Sequence, residues 1–160
     1  MSIMPGDLLP AARFKLVHNG IQDADTDTVF KGRTVVLFAV PGAFTPTCST
    51  RHLPGFVQAY GRFRERDVDV ACLAVNDAFV MEAWAKQQNV PPGMMMIADG
   101  NAEFTRALGL ELDATGYGMG IRARRFALIA RDGVVTTLNV EAPGEFRVSG
   151  AEAMLAALDV

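Results

Sequence analysis

The chain has 160 residues, of which 50% are hydrophobic and 21% are charged, and its formal net charge is −3. This length and composition are typical of one soluble globular domain, which we expect to span residues 1–160. An acidic chain lacks the clustered Lys and Arg that bind phosphates, so a nucleic-acid partner is not expected. The sequence shows no signal peptide and no apolar run of the ~18 residues that a membrane helix needs. We therefore expect a cytoplasmic protein with no membrane partner.

Three short, nearly continuous apolar runs predict strands that are buried on both faces of a sheet. These runs are Thr34–Val40, Val68–Val75 and Met94–Ala98. A helix over Ala78–Gln88 is predicted after the second run, where Asn76 and Asp77 can cap its start. A shorter helix is predicted after the third run and ends at Leu108, because Gly109 is typical of a left-handed C-cap.

The C-terminal part of the chain predicts a hairpin followed by a last helix. An Asp-Gly pair separates the apolar runs Phe126–Ala130 and Val134–Val140, which is a strong hairpin signal. The last helix is predicted to begin at Ser149, with Glu152 completing a capping box. This order of elements predicts an α/β fold in which a mixed central sheet carries helices on both faces. A thioredoxin-like fold satisfies this description, as do other α/β sandwiches.

The segment with the most chemical information follows the first predicted strand and reads PGAFTPTC, from Pro41 to Cys48. Thr45 and Pro46 are typical of an N-cap and a first helical residue, so Cys48 falls in the first turn of a helix. The free amides and the dipole of a helix start stabilise a thiolate, which is the nucleophilic form of cysteine. Attack on a peroxide also places negative charge on the leaving oxygen. The Thr45 hydroxyl and the backbone amides of Thr47 and Cys48 are near enough in sequence to stabilise that charge.

Three arginines just before the predicted hairpin offer a cationic partner for this site: Arg122, Arg124 and Arg125. The spacing alone leaves open whether any of them reaches Cys48. His52 lies four residues after Cys48, and we expect it to pack or to form hydrogen bonds. A metal site is not predicted, because two ligands are too few and no third Cys or His lies nearby. Pro54 predicts a kink or restart of the helix.

The PGAFTPTC segment resembles the PxxxTxxC active-site signature of the peroxiredoxins. Further segments resemble the atypical peroxiredoxin-5 and plant type II group: HLPGF, ACLAVNDAFVMEAW, ADGNAEFTRALGLELD and RARRFALIARDG. The resemblance covers most of residues 35–140. It implies a thioredoxin fold, no metal or organic cofactor, and a peroxidase whose substrates are hydrogen peroxide and small alkyl hydroperoxides.

The resemblance also implies a role for each residue that matches the signature. Cys48 is the peroxidatic cysteine, which the peroxide oxidises to a sulfenic acid. Thr45 bonds both the thiolate and the peroxide, and Pro41 shields the pocket from water. Arg125 stabilises the thiolate and binds a peroxide oxygen.

The oxidised Cys48 must then be reduced to the thiol. The animal peroxiredoxin-5 pattern implies a resolving cysteine near the C-terminus, but this chain has Ser149 at about that position. Cys72, the only other cysteine, matches the second cysteine of the plant type II pattern and is a candidate second thiol. Its setting predicts a buried strand, however, and therefore a structural core thiol. We predict one-cysteine turnover with glutathione, glutaredoxin or thioredoxin as the reductant.

A reactive Cys48 is also compatible with two other functions. One is a redox sensor that is oxidised without turnover. The other is a general thiol–disulfide oxidoreductase, which the sequence disfavours because Arg51 stands where a Cys-x-x-Cys motif has its second cysteine. The family often dimerises close to the active site, so we also predict a homodimer that uses Phe44 and Phe79.

Overall fold

The structure is a computed structural model and describes residues 2–160. The strands are β1 (Arg13–Val17), β2 (Ile21–Asp25), β3 (Thr34–Ala39), β4 (Val68–Ala74), β5 (Met95–Ala98), β6 (Glu111–Asp113), β7 (Ile121–Ala123), β8 (Phe126–Arg131) and β9 (Val134–Val140). The α-helices are α1 (Thr26–Phe30), α2 (Leu53–Arg64), α3 (Ala78–Gln87), α4 (Glu103–Leu108) and α5 (Ala151–Leu158). A π-helical turn covers Cys48–His52, and a 3-10 turn covers Thr115–Tyr117.

Seven strands form the central sheet in the order β2-β1-β5-β4-β3-β8-β9. Strands β5, β4 and β3 are parallel to one another, whereas β1 and β8 run antiparallel to their neighbours in this parallel core. The sheet is therefore mixed. Strands β6 and β7 form a separate antiparallel pair.

Helices cover both faces of the sheet because alternate residues of its central strands point to opposite sides. Val36, Phe38, Val70 and Cys72 belong to a core shared with α2, α3 and α5. Val35, Leu37, Ala71 and Leu73 belong to a second core shared with α1 and α4. This arrangement confirms the predicted α/β fold with a mixed sheet between two helical layers.

The predicted hairpin and central helices are confirmed. Both Asp132 and Gly133 have positive φ, as a two-residue turn between twisted strands requires. The side chain of Asp77 accepts a hydrogen bond from the Val80 amide and so caps α3, and Gly109 is left-handed at the end of α4.

The capping box predicted for the last helix is wrong. Helix α5 begins at Ala151 after Gly150, which has no side chain with which to cap it. The Ser149 hydroxyl donates instead to Glu141, at 2.6 Å, and the Glu152 carboxylate pairs with Arg62. Both side chains that the box would use are therefore bonded elsewhere.

The N-terminal elements β1, β2 and α1 were not predicted. Strand β2 lies at the edge of the sheet and exposes nearly every residue, so it carries no apolar run from which a strand could be predicted. Among the described residues, none of the helices is both long and apolar enough to cross a bilayer.

Candidate active site

The loop that leaves β3 is fixed at the carboxyl end of the parallel strands. The Ala43 amide donates to the Asn76 side chain, at 2.9 Å, and so ties the loop to the segment that leaves β4. Gly42 allows a close approach, since a Cβ there would lie 3.1 Å from the Arg122 guanidinium and 3.2 Å from Thr45. Phe44 has a φ of 65°, a conformation that a bulky side chain rarely adopts and that is typical of functional loops.

Cys48 lies at the start of the helix that follows this loop. Helical backbone begins at Pro46, as predicted, and the first helical hydrogen bond runs from the Ser49 amide to the Thr45 carbonyl. The amides of Thr47 and Cys48 therefore come before the first hydrogen bond of the helix. The anion-stabilising role expected of them requires this position.

A π turn separates this helix start from α2. The Leu53 amide donates to the carbonyl of Cys48, five residues back. Pro54 follows at once and has no amide of its own to donate, and its ring would crowd the carbonyl four residues earlier in a regular α-helix. The irregularity predicted at Pro54 is thus observed as a widened turn just ahead of it, and this turn contains Cys48.

Cys48 is fully buried, and its sulfur is bonded to Arg125. The Arg125 Nη2 donates to Cys48 Sγ at 3.0 Å across 77 positions of sequence. The register of the sheet explains the contact: Ala39 at the end of β3 is paired with Phe126 at the start of β8. The residue before Phe126 is thereby placed beside the loop that leads to Cys48.

Of the three arginines, Arg125 alone forms a hydrogen bond with Cys48 in the described residues. The Arg122 guanidinium donates to the Met119 carbonyl at 2.9 Å, close to Gly42. Arg124 is exposed and lines a cavity of about 240 Å³ beside the site. Further residues around this cavity include Pro41, Thr47, Leu112 and Arg125. The cavity brings Pro41 and Thr47 to the same place as Arg125, as their predicted roles require.

The Thr45 hydroxyl donates to the Gly42 carbonyl at 2.7 Å. The predicted bond from Thr45 to the Cys48 thiolate is therefore not made in this structure, because the single hydroxyl hydrogen is used within the loop. The hydroxyl oxygen keeps its lone pairs and remains an acceptor.

His52 is buried between a backbone carbonyl and Arg125. Its Nε2 lies 2.8 Å from the Ser149 carbonyl, and its Nδ1 lies 2.9 Å from Arg125 Nη1. Burial lowers the pKa of His52 to about 3; the bond to Ser149 opposes this shift, and the charge of Arg125 adds to it. His52 is thus a neutral hydrogen-bonding residue, as expected, and it holds the arginine that contacts Cys48.

Cys72 lies on β4 and is fully buried, so the predicted strand position is confirmed. Burial raises the pKa of the Cys72 thiol, the proximity of Cys48 raises it further, and Arg125 partly offsets both effects. Cys72 is therefore a neutral thiol in the same core as Cys48.

Two residues of the site were not predicted. Phe146 packs its ring 4.8 Å from the His52 ring and 4.8 Å from the Arg51 guanidinium. Glu141 follows β9 directly and is buried, and its amide donates to the Arg125 carbonyl at 3.0 Å. A single Phe in a polar loop and a single Glu after a strand carry no sequence pattern that would identify them. In the described part of the chain, no group of three or more His, Cys, Asp or Glu residues is placed to hold a metal ion.

The fold and the site define a thioredoxin-like protein with one Arg-bonded cysteine at a helix start. The Redoxin family model matches residues 4–155. Peroxiredoxin-2E (chloroplastic) of Arabidopsis thaliana is 50% identical over 163 residues, which cover 98% of this chain and 70% of the relative. Peroxiredoxin-2B of the same plant is 44% identical over 159 residues, which cover 98% of both chains.

Solved structures agree with these sequence relatives. The crystal structure of reduced Prx3 from Vibrio vulnificus in complex with H2O2 has a TM-score of 0.92 and 51% identity, and the match covers 98% of this chain and 99% of that one. Peroxiredoxin 5 from Alvinella pompejana has a TM-score of 0.83 and 34% identity, with 98% of both chains covered. The chain therefore belongs to the redoxin family and, with its peroxiredoxin-2 relatives, to the plant type II peroxiredoxins. It is a thiol peroxidase.

Proposed function

We propose that the chain reduces hydrogen peroxide and small alkyl hydroperoxides at Cys48, and that an external thiol donor returns Cys48 to the thiol. The observation that carries this proposal is the 3.0 Å contact between Arg125 Nη2 and Cys48 Sγ. It joins a fixed cation to the only cysteine that lies at a helix start. A cation and a helix start both favour the thiolate over the thiol.

In the proposed reaction, the Cys48 thiolate attacks one peroxide oxygen and the O–O bond breaks. The sulfur becomes a sulfenic acid, and the bond's electron pair leaves with the second oxygen, which takes up a proton to form water or an alcohol. Arg125 donates to the oxygen on which negative charge develops, and the amides of Thr47 and Cys48 add further donors. Fixed donors of this kind are worth far more in a buried site than in water.

Thr45 and Pro41 have supporting roles in this proposal. The Thr45 oxygen accepts a hydrogen bond from the peroxide, and its hydroxyl turns away from Gly42 to reach the thiolate. Pro41 has no amide and presents an apolar wall at the cavity, which keeps water from the sulfur.

Reduction of the sulfenic acid is proposed to use one cysteine of this chain. A first donor thiol condenses with the Cys48 sulfenic acid to give a mixed disulfide and water, and a second donor thiol attacks this disulfide and releases the Cys48 thiol. Glutathione, with or without glutaredoxin, and thioredoxin are the donors that we propose. The position of Cys72 supports this route, since its thiol is fully buried in the central strand β4 and its pKa is raised, so it is a poor nucleophile.

Peroxide consumption by the purified protein tests this proposal. The assay uses glutathione with glutaredoxin, and separately thioredoxin, for the wild type and for Cys48→Ser. We expect sustained turnover that disappears in Cys48→Ser, and the more effective donor identifies the electron source. If only one equivalent of peroxide is consumed per protein with either donor, the result would favour a redox sensor that is oxidised without turnover. Undiminished turnover by Cys48→Ser would contradict the proposal.

A homodimer that uses Phe44 and Phe79 is also proposed. Both rings are accessible, with 48% and 77% of their surface exposed, which supports a contact through them. The cytoplasmic location and the single domain over residues 1–160 stay predictions.

A further inference from the structure

Glu141 is a buried carboxylate that the proposed reaction does not use. Only 7% of its surface is exposed. Its two oxygens accept hydrogen bonds from four donors: the amides of Arg147, Val148 and Ser149, at 2.8–2.9 Å, and the Ser149 hydroxyl, at 2.6 Å. Each of these donors is an uncharged group.

The carboxylate is ionised in spite of its burial. Burial raises the pKa of Glu141, but the hydrogen bonds from the Ser149 hydroxyl and from the three amides outweigh it and hold the pKa below the ordinary value. Charge-assisted bonds of this kind are stronger than bonds between neutral groups. One side chain thus fixes three consecutive residues of a segment that has no helix or strand of its own.

The segment held by Glu141 fixes the His52 ring. The Ser149 carbonyl can only accept, so the 2.8 Å contact requires a proton on His52 Nε2. In a neutral ring, Nδ1 is then an acceptor, and Arg125 Nη1 donates to it at 2.9 Å. The opposite tautomer would bring an N–H against the guanidinium and leave the Ser149 carbonyl without its donor.

The same arginine bonds the reactive sulfur through its other nitrogen. With Nη1 held on His52, Arg125 Nη2 is directed at Cys48 Sγ, 3.0 Å away. Phe146 directly precedes this segment, and its ring lies 6.0 Å from the Arg125 guanidinium carbon. In the described residues, Arg125 forms no ion pair with a carboxylate, so these contacts are what orient it.

We propose that Glu141 is a positioning residue for the peroxidase site. It orders Arg147–Ser149, so that the Ser149 carbonyl orients the His52 ring. The His52 ring in turn orients the Arg125 guanidinium toward Cys48. The inference rests on the proposed function of Cys48. It adds a residue that lines the same cavity as Pro41 and Arg125, but whose carboxylate is bonded to Arg147, Val148 and Ser149 rather than to the Cys48 sulfur. Substitution of Glu141 would lower the rate of Cys48 oxidation by peroxide, because Arg125 would lose its orientation.

The test begins with the second-order rate of Cys48 oxidation by hydrogen peroxide in Glu141→Gln. Glutamine has the same shape, but it keeps only one acceptor oxygen, which carries no charge, and its NH2 group takes the place of the oxygen that faces the Arg147 amide. We expect a loss of about 10-fold to 100-fold, the range for a misplaced catalytic group. The control is Glu152→Gln on α5, which removes an exposed ion pair to Arg62 and should leave the rate unchanged.

A double-mutant cycle distinguishes positioning from general damage to the fold. If Glu141 acts through Arg125, then adding Glu141→Gln to Arg125→Lys should cause little further loss. If the fold-loss in the oxidation rate of the double variant equals the product of the two single fold-losses, the proposal is overturned. Should Glu141→Gln fail to fold, Ser149→Ala replaces it, since this change removes only the hydroxyl donor, and the same non-additivity is expected on a smaller loss.

Nitrogen NMR of the His52 ring gives a readout that does not depend on activity. We expect the wild type to show one tautomer with the proton on Nε2, and Glu141→Gln to lose this uniformity. A single Nε2–H tautomer that persists in Glu141→Gln would overturn the proposal. Failure of the proposed function would instead appear as an inactive wild type, and the tautomer measurement would still decide the role of Glu141.

Discussion

Arg125 contacts Cys48 and His52 at the same time, through the two terminal nitrogens of one planar guanidinium. Lysine keeps the charge but has a single ammonium and cannot reproduce this fork. We expect Arg125→Lys to lower the rate of peroxide reduction by about 100-fold, comparable to the loss of one fixed donor at a developing charge. Stopped-flow peroxide kinetics measure the effect. Arg106→Lys, an exposed position on α4, is the control, and an equal rate for both variants would contradict the role of Arg125.

His52 makes the stability of the fold depend on pH. Its pKa falls from 6.5 to about 3 in the folded protein, mainly through burial. Below pH 6.5 the unfolded chain therefore takes up a proton that the folded chain does not, so stability is lost as pH falls toward 3. The loss is about 1.4 kcal/mol per pH unit within this window.

Urea unfolding between pH 6.5 and about pH 5 measures this loss. The wild type should lose unfolding free energy more steeply than His52→Gln as the pH falls. Carboxylates such as Glu141, whose lowered pKa acts in the same direction, are present in both proteins. Equal slopes in the two proteins would show that His52 is protonated in the folded state.

At the scale of elements, the position of β4 in the sheet determines whether Cys72 can take part in turnover. Cys72 is paired with Phe38 on β3 and with Met96 on β5, in the middle of the sheet. We expect Cys72→Ser to keep most of the peroxidase activity, with a stability loss of about 1–3 kcal/mol from the buried hydroxyl. Cys72→Ala, which adds no polar group, is the matched control. A near-total loss of activity in folded Cys72→Ser would mean that Cys72 takes part in turnover.

The elements of the core could be predicted from the sequence because β3, β4 and β5 are buried on both faces and read as continuous apolar runs. The edge strand β2 could not, since its side chains face solvent and show no pattern. The prediction of a capping box at Ser149 was wrong for a different reason. Its hydroxyl has a tertiary partner, Glu141, that lies outside any local window of sequence.

At the scale of the whole molecule, the pairing of β8 with β3 assembles the site. Sequence motifs identified Cys48 and offered three arginines, and the resemblance to a known family favoured Arg125. The contact itself depends on the Ala39–Phe126 register, a long-range pairing that residue spacing does not encode. His52 could be expected to form hydrogen bonds, but its link to Arg125 and Ser149 requires three distant segments to meet.

The proposed homodimer is also tested at this scale. Phe79 exposes 77% of its surface and lies in the first turn of α3. If it forms part of a dimer contact, Phe79→Glu should shift the protein toward the monomer in sedimentation equilibrium at micromolar concentration. Leu8→Glu, at an exposed apolar position beside β9, is the control and should leave the mass unchanged. A monomeric wild type would contradict the dimer.

The central claim is that Cys48 is the sulfur that a peroxide oxidises. Its most direct test mixes the reduced protein with one equivalent of hydrogen peroxide, without any donor thiol, and traps sulfenic acid with dimedone for peptide mass spectrometry. We predict that one equivalent of peroxide is consumed and that the adduct is found on Cys48, with none formed by Cys48→Ser. An adduct on Cys72 instead, or peroxide consumption that is unchanged in Cys48→Ser, would contradict the assignment of Cys48.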